Sequence, residues 1–281
     1  MNNRLGLSSY AYYWAICAKL EQGVAPMTAW DLVNKTASLD LEVVQICENL
    51  PLITWDKRSL EQLRDVALRQ GITLEIGVRG LDVDLLRLHL DLTHTLSAHV
   101  LRVVPWSGSE TQQKLSLDKL HRVVDQILPL CQEHDITLAI ENYFDLPDQE
   151  LADFVQQVND ERVGVCLDTA NSTGFLEKPL KTVQVLAPHV VSLHLKDFVV
   201  TKPAMGYRIS GVPLGQGWLD ARAVLDIVSQ TGRQPHVLLE LWVDPDETHK
   251  ATLRKEDDWV RQNVAYARDE LGLAGLRTPQ T

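Results

Sequence analysis

The chain is short of cysteine, of basic residues and of long apolar runs, and each shortage removes a class of protein. Four cysteines in 281 residues form no C-x-x-C pair. Cys17, Cys47, Cys131 and Cys166 all lie in or beside apolar patterns. A disulfide framework does not fit that size and spacing, and buried, reduced thiols are expected. Lys and Arg number 27 against 38 Asp and Glu, giving a net charge of −11. Nonspecific nucleic-acid binding rests on cationic side chains that neutralise phosphates, so no nucleic-acid partner is expected. No stretch approaches the ~18 apolar residues of a membrane span. The opening MNNRLGLSSY has no apolar segment long enough for a secretory signal. The expectation is a cytoplasmic protein with no membrane partner.

What is present is a regular alternation. Apolar residues make up 45% and charged residues 23%, ordinary values for a globular chain with material for a core. Short β-like runs fall at residues 4–9, 41–46, 73–78, 100–104, 137–141, 164–167, 190–195 and 236–241. Most are continuously apolar, as parallel strands covered on both faces should be. Amphipathic helical patterns lie between them, at 27–38, 59–70, 81–96, 116–133, 148–158, 179–186, 221–230 and 254–270. Thr28 offers a cap for the first, and Gly71 a stop for the second. Eight strands alternating with eight helices predict an α/β fold, a (β/α)8 TIM barrel. It would be one domain over residues 1–273, with 274–281 as a flexible tail. The connection over 198–218 is long, contains glycine and lacks periodicity, which suits a binding loop or lid.

Four of the apolar runs end on a polar group able to bind a metal. LAIEN delivers Glu141, VGVCLDTANS delivers Asp168, VVSLHLKD delivers His194 and LLELW delivers Glu240. Their spacings approximate one βα unit of about 30 residues, the last lengthened by the long loop. Adjacent strands of a barrel put their tips around one mouth, so the four can converge. Each has a plain alternative alone: Asp168 as a turn carboxylate, His194 as a core histidine, Glu141 as the start of a helix. An unpaired carboxylate buried between Leu239 and Leu241 is harder to dismiss, because its desolvation is costly without a cation. Three carboxylates with one imidazole are a mostly hard donor set. They favour Mn2+ or Mg2+, with Co2+ or Zn2+ open.

At these residues the sequence resembles the sugar phosphate isomerase/epimerase family of xylose isomerase-like TIM barrels. The likeness lies in LAIEN, LDTAN, HLKD and LLELW taken in order, and it extends over essentially the whole chain. The resemblance implies that Glu141, Asp168, His194 and Glu240 bind the metal and that Glu141 and Glu240 double as the acid/base pair. It also implies a small-molecule carbohydrate substrate, and barrels of this family often form homo-oligomers, dimers or tetramers, though the sequence carries no interface signature. Two departures matter. Ketose 3-epimerases of the family carry His three residues after the strand-six Asp, where this chain has Asn171. They carry Arg six residues after the metal-binding His, where it has Val200. Candidate substrate contacts are therefore Asn171 with a cationic set of Lys196, Arg79 and Arg208. Arg102 reads equally as a structural ion-pair former. Trp14, Trp106 and Trp242 could wall the mouth or simply pack.

The leading expectation is a divalent-metal-dependent isomerase or epimerase of a small sugar or keto-sugar, working through an enediolate. Its chief rival keeps the enolate chemistry and breaks a bond, as a decarboxylase or lyase of a 3-oxo sugar acid or 3-keto glycoside. Decarboxylation needs no base to start, and Lys196 with the missing epimerase residues makes it a serious rival. Two further classes fit less well. An endonuclease IV-like repair enzyme needs many histidine ligands and a basic face, and a non-catalytic sugar-binding module leaves the acidic set unexplained.

Overall fold

The computed structural model describes residues 4–19, 23–106, 115–144 and 146–273, so the expected tail at 274–281 lies outside the described residues. The strands are β1 (Leu5–Ser8), β2 (Val43–Ile46), β3 (Thr73–Arg79), β4 (Val100–Val104) and β5 (Thr137–Glu141). They continue with β6 (Val163–Asp168), β7 (Val190–Leu195), β8 (Asp197–Thr201), β9 (Arg208–Val212) and β10 (His236–Leu239). Among the described residues, β1 to β7 and β10 close in the order β1-β10-β7-β6-β5-β4-β3-β2. Every neighbouring pair in that ring is parallel. The eight strands expected from the sequence are the eight barrel strands, and the fold is the (β/α)8 barrel.

The helices are α1 (Tyr13–Ile16), α2 (Ala29–Ser38), α3 (Lys57–Arg69), α4 (Val83–Thr95) and α5 (Leu117–Glu133). After them come α6 (Asp148–Val158), α7 (Pro179–Leu186), α8 (Ala221–Gln230) and α9 (His249–Asp269). Their starts follow side-chain chemistry. Thr28 and Asp31 cap α2 reciprocally, each accepting the other's backbone N–H. Asp56 caps α3 by accepting from Ser59 N, so that helix begins two residues before the expected start at 59. Thr248 caps α9 in the same way, and that helix begins at His249, five residues ahead of the expected 254. Outward-facing Leu5, Leu7, Val44, Ile76, Leu138, Val165, Leu193 and Val237 are fully or nearly fully buried under the helices, which explains the continuous apolar runs.

The 198–218 segment differs from its expectation as a loop without periodicity. Most of it is an antiparallel hairpin of β8 and β9, registered from Asp197 opposite Val212 to Thr201 opposite Arg208. One buried carboxylate holds its base. Asp197 accepts from the backbone N–H groups of Phe198 (2.8 Å), Gly215 (3.1 Å), Gly217 (2.9 Å) and Leu219 (3.0 Å). That arrangement ties the hairpin to the C-terminal end of β7 and so to the mouth of the barrel. Replacing Asp197 by Ala leaves several buried donors unmet, and urea unfolding should show a loss of about 3 kcal/mol or more. Unchanged stability would mean that the hairpin holds itself.

Candidate metal centre

The barrel brings the four strand-tip residues together. Glu141 closes β5, Asp168 closes β6, His194 lies in β7 and Glu240 follows β10. All four are buried. His194 Nδ1 is 3.7 Å from Glu141 Oε2, 3.7 Å from Asp168 Oδ2 and 3.2 Å from Glu240 Oε1. One donor atom each from Asp168, His194 and Glu240 lies within 4.8 Å of the others. His194 Nδ1 and Glu240 Oε1 are buried without a hydrogen-bond partner. Asp168 Oδ2 is met by the ammonium of Lys196 at 2.7 Å, and the same Nζ reaches Glu240 Oε2 at 2.8 Å. Orphaned buried polar atoms are expensive, and three carboxylates converging on an imidazole nitrogen fit a divalent cation bound through oxygen and nitrogen. Cys166 also stands beside Glu141 and His194. Burial pushes its thiol up to about 11, with His194 pulling the other way, so the carboxylates are the charged donors.

Polar bonds across the strand tips fix this geometry. Asp168 Oδ1 accepts from Ala170 N (2.8 Å) and Asn171 N (2.9 Å), which is the turn role anticipated for it, while Oδ2 faces the cluster. Asn142 spans β5 and β6: its Oδ1 accepts from Asp168 N at 2.6 Å and its Nδ2 donates to Asp168 O at 2.9 Å. Thr169 Oγ1 does the same for β6 and β7, donating to Lys196 O (2.9 Å) and accepting from Lys196 N (3.0 Å). Glu141 is held on both oxygens. Asn171 Nδ2 donates to Oε1 at 2.8 Å, and Arg102 Nε donates to Oε2. Arg102 continues to Glu48 Oε2 at 2.9 Å, and Tyr10 OH donates to Glu48 Oε1 at 2.9 Å. Arg102 is thus the ion-pair former, joining a carboxylate of the cluster to a second one outside it.

The charges respond to this crowding. Burial disfavours the His194 imidazolium, but the acidic groups around it outweigh that and hold its pKa well above the usual value. Burial raises Glu141 above the carboxylate range against the pull of Arg102 and His194. Burial acts the same way on Glu240, yet His194, Lys196 and Arg102 prevail and hold it well below that range. Lys196 remains an ammonium, since Asp168 and Glu240 overcome the penalty of burial.

A cavity of about 430 Å³ opens above the cluster, its walls including Tyr10, Arg79, Tyr143, Asn171, Lys196 and Trp242. Arg79 projects into it, braced by its bond to Tyr143 OH at 2.6 Å and by Trp106, whose ring centre is 5.6 Å away. Lys196 Nζ lies 4.8 Å from the ring centre of Trp242. Arg79, Asn171 and Lys196 therefore share the mouth. Arg208 does not join them: it is exposed on β9 and pairs with Asp244 at 2.7 Å, while the neighbouring Ile209 lines the cavity. Trp14 turns away to bond Val243 O through Nε1 at 2.7 Å. Sequence reasoning missed Glu48, Asn142, Thr169 and Tyr10. Asn142 had a signal, since it directly follows Glu141 at the same strand tip.

This barrel with carboxylates and a histidine at its C-terminal mouth defines a sugar-isomerase-like architecture, and the chain belongs to the xylose isomerase-like TIM barrel family, whose pattern matches residues 34–269. It is 29% identical over 264 residues to the 3-oxo-isoapionate decarboxylase of Pectobacterium atrosepticum, covering 93% of this chain and 94% of that one. It is 22% identical over 255 residues to the L-ribulose-5-phosphate 3-epimerase UlaE of Escherichia coli, covering 82% and 86%. The fold matches D-psicose 3-epimerase of Clostridium cellulolyticum H10, solved with D-tagatose, with TM-score 0.72 and 15% identity over 95% of this chain and 99% of that one.

The raised pKa of His194 predicts a pH dependence. A cation bound at Nδ1 would compete with a proton there, so binding would release a proton at any pH below that pKa. Apparent Mn2+ affinity then falls by about tenfold per pH unit as pH drops. Titration calorimetry in buffers of unlike ionisation heat measures that release. Equal heats in all buffers at neutral pH would contradict the assignment.

Proposed function

We propose that the chain is a divalent-metal-dependent decarboxylase of a small 3-oxo sugar acid, with Glu141, Asp168, His194 and Glu240 as the metal-binding set. The carrying observation is the charge of the mouth. Glu48, Glu141, Asp168 and Glu240 face Arg79, Arg102 and Lys196, Arg79 Nε lying 3.6 Å from Glu48 Oε1 and the others meeting through the contacts above. A divalent cation among them leaves one positive charge in excess, which a substrate carboxylate matches. With Asp168 and Glu240 holding a cation, Lys196 would lose both counter-ions and its ammonium would be free to turn to an anion. The full-length likeness to a decarboxylase supports this reading, as do Asn171 and Val200 at the positions where ketose 3-epimerases carry His and Arg.

What the bound metal supplies is polarisation of the carbonyl oxygen. Mn2+ or Mg2+ suits the oxygen-rich donors best. Lys196 and Arg79 hold the carboxylate. Its bond to the α-carbon breaks, the electron pair moves toward the carbonyl oxygen and carbon dioxide departs. One proton then returns to the α-carbon from water that the open cavity admits, while Glu141 stays the carboxylate that Arg102 and Asn171 hold. Trp242 and Tyr143 cover the apolar faces of a sugar chain. Four free thiols suit a reducing compartment, which the cytoplasm is.

One observation favours the second reading, a ketose isomerase or epimerase. Glu141 and Glu240 come from β5 and β10, three strands apart around the barrel, and so approach the cluster from different sides, as a two-base proton transfer requires. Proton NMR of Mn2+-activated protein in D2O, freed of the metal by chelation before spectra are recorded, separates the two. Given a panel of 3-oxo sugar acids and ketoses, decarboxylation releases carbon dioxide and leaves one deuteron in the shortened product. Deuterium next to the carbonyl of a rearranged ketose, without loss of carbon, would overturn the first reading in favour of the second. On the decarboxylase reading, Lys196→Met lowers kcat/KM at least about 100-fold, the cost of a buried anion left unpaired, while Mn2+ binding persists. Full activity in that variant would remove Lys196 from the mechanism.

A further inference from the structure

The lumen beneath the cluster carries a connected set of polar side chains. TIM barrels usually pack this space with layers of Val, Ile and Leu. Here Gln45 and Glu75 stand opposite one another on β2 and β3, in direct register and 0% and 1% exposed. Buried amide and carboxylate groups are tolerated only when bonded, and these are bonded throughout. Gln45 Nε2 donates to Glu75 Oε2 at 2.9 Å, and Ser192 Oγ donates to the same oxygen at 3.1 Å. His236 Nδ1 meets Glu75 Oε1 at 2.6 Å. At the upper end, Gln45 Oε1 lies 2.9 Å from His194 Nε2 and 3.3 Å from Cys47 Sγ. A chain of contacts thus runs from His194 down the barrel axis to His236 at the opposite mouth.

The direction of every bond in this chain follows from one group. A carboxylate only accepts, so Glu75 requires the nitrogen end of the Gln45 amide. The oxygen end is then turned up to His194, where it accepts from Nε2–H. With Nε2 committed, Nδ1 is the nitrogen left for the three carboxylates. A flipped amide would present its NH2 to Nε2, draw on that lone pair and leave the ring proton on Nδ1, pointing into the cation site.

We propose that Gln45 and Glu75 are positioning residues that fix which nitrogen of His194 is offered to the metal, Glu75 acting through the amide of Gln45. The proposal rests on the metal reading of the cluster. Supports of this kind, one bond behind the ligands, typically alter metal affinity by about 10–100-fold. Two measurements test it. The first is a long-range proton–nitrogen correlation spectrum of histidine-labelled protein loaded with Mg2+, with the His194 signal identified by its absence in His194→Ala. Protonated Nε2 and bare Nδ1 are expected in the parent, and a mixture of both forms in Glu75→Gln, whose own amide accepts either orientation of Gln45. The second is calorimetric Mn2+ affinity, expected to drop about 10–100-fold in Gln45→Leu and by less in Glu75→Gln. A proton on Nδ1 in the Mg2+-loaded parent overturns the proposal without any variant. So does parental Mn2+ affinity in both Gln45→Leu and Glu75→Gln while His194→Ala has lost binding. Parental affinity in His194→Ala as well overturns the metal reading and the relay with it.

Discussion

Three buried carboxylates around one imidazole nitrogen cannot stand without positive charge, and the upper half of the barrel is arranged to supply it. Glu141, Asp168 and Glu240 are almost wholly removed from water. Their counter-charges are Lys196, which bridges two of them, and Arg102 on the third, while His194 Nδ1 faces all three and they hold its pKa well above the usual value. Each of these is a buried charge that is costly to leave unpaired. On the proposed metal reading, a small divalent cation would take over the share of charge that Lys196 and His194 carry.

The barrel gives this cluster its rigidity. Strand tips that would otherwise fray are stitched by the side chains of Asn142 and Thr169, each bonding to backbone of the adjacent strand. Below, Gln45 and Glu75 carry the polar order down the lumen. Beside the mouth, Asp197 gathers four backbone N–H groups and seats the β8–β9 hairpin, which contributes Ile209 to the cavity wall. Two residues after the cluster's histidine comes the lysine of the mouth, and one residue further the anchor of the hairpin. The segment HLKD thus encodes the cluster's imidazole, its counter-ion and the loop support in four consecutive positions.

The barrel and the four strand-tip groups were legible in the sequence because each apolar run stops on its chemical group. A change from apolar to charged at a strand end is a local signal. Gln45, Glu75 and Arg102 gave no such signal. They sit inside the apolar runs, and their meaning lies in partners 30 or more residues away that only the register brings opposite. In a parallel barrel both faces of a strand are buried, so a single polar residue does not announce which face it occupies. Arg208 shows the reverse difficulty. Its charge and its place in the long loop suggested the mouth, but the hairpin register turns it outward to Asp244 and brings Ile209 in instead. The hairpin itself was hidden because its strands, DFVVT and RISGV, are short and separated by the mixed six-residue segment KPAMGY.

The account stands or falls on where a divalent cation binds. Crystals of the protein grown with Mn2+, with diffraction recorded on both sides of the manganese absorption edge, locate the ion directly. The account predicts one anomalous peak coordinated by Asp168 Oδ2, His194 Nδ1 and the carboxylates of Glu141 and Glu240, with Lys196 swung off Asp168 toward the cavity. Crystals with no peak there and with Lys196 still bridging Asp168 and Glu240 would contradict it, and would make the ammonium the cluster's resident cation.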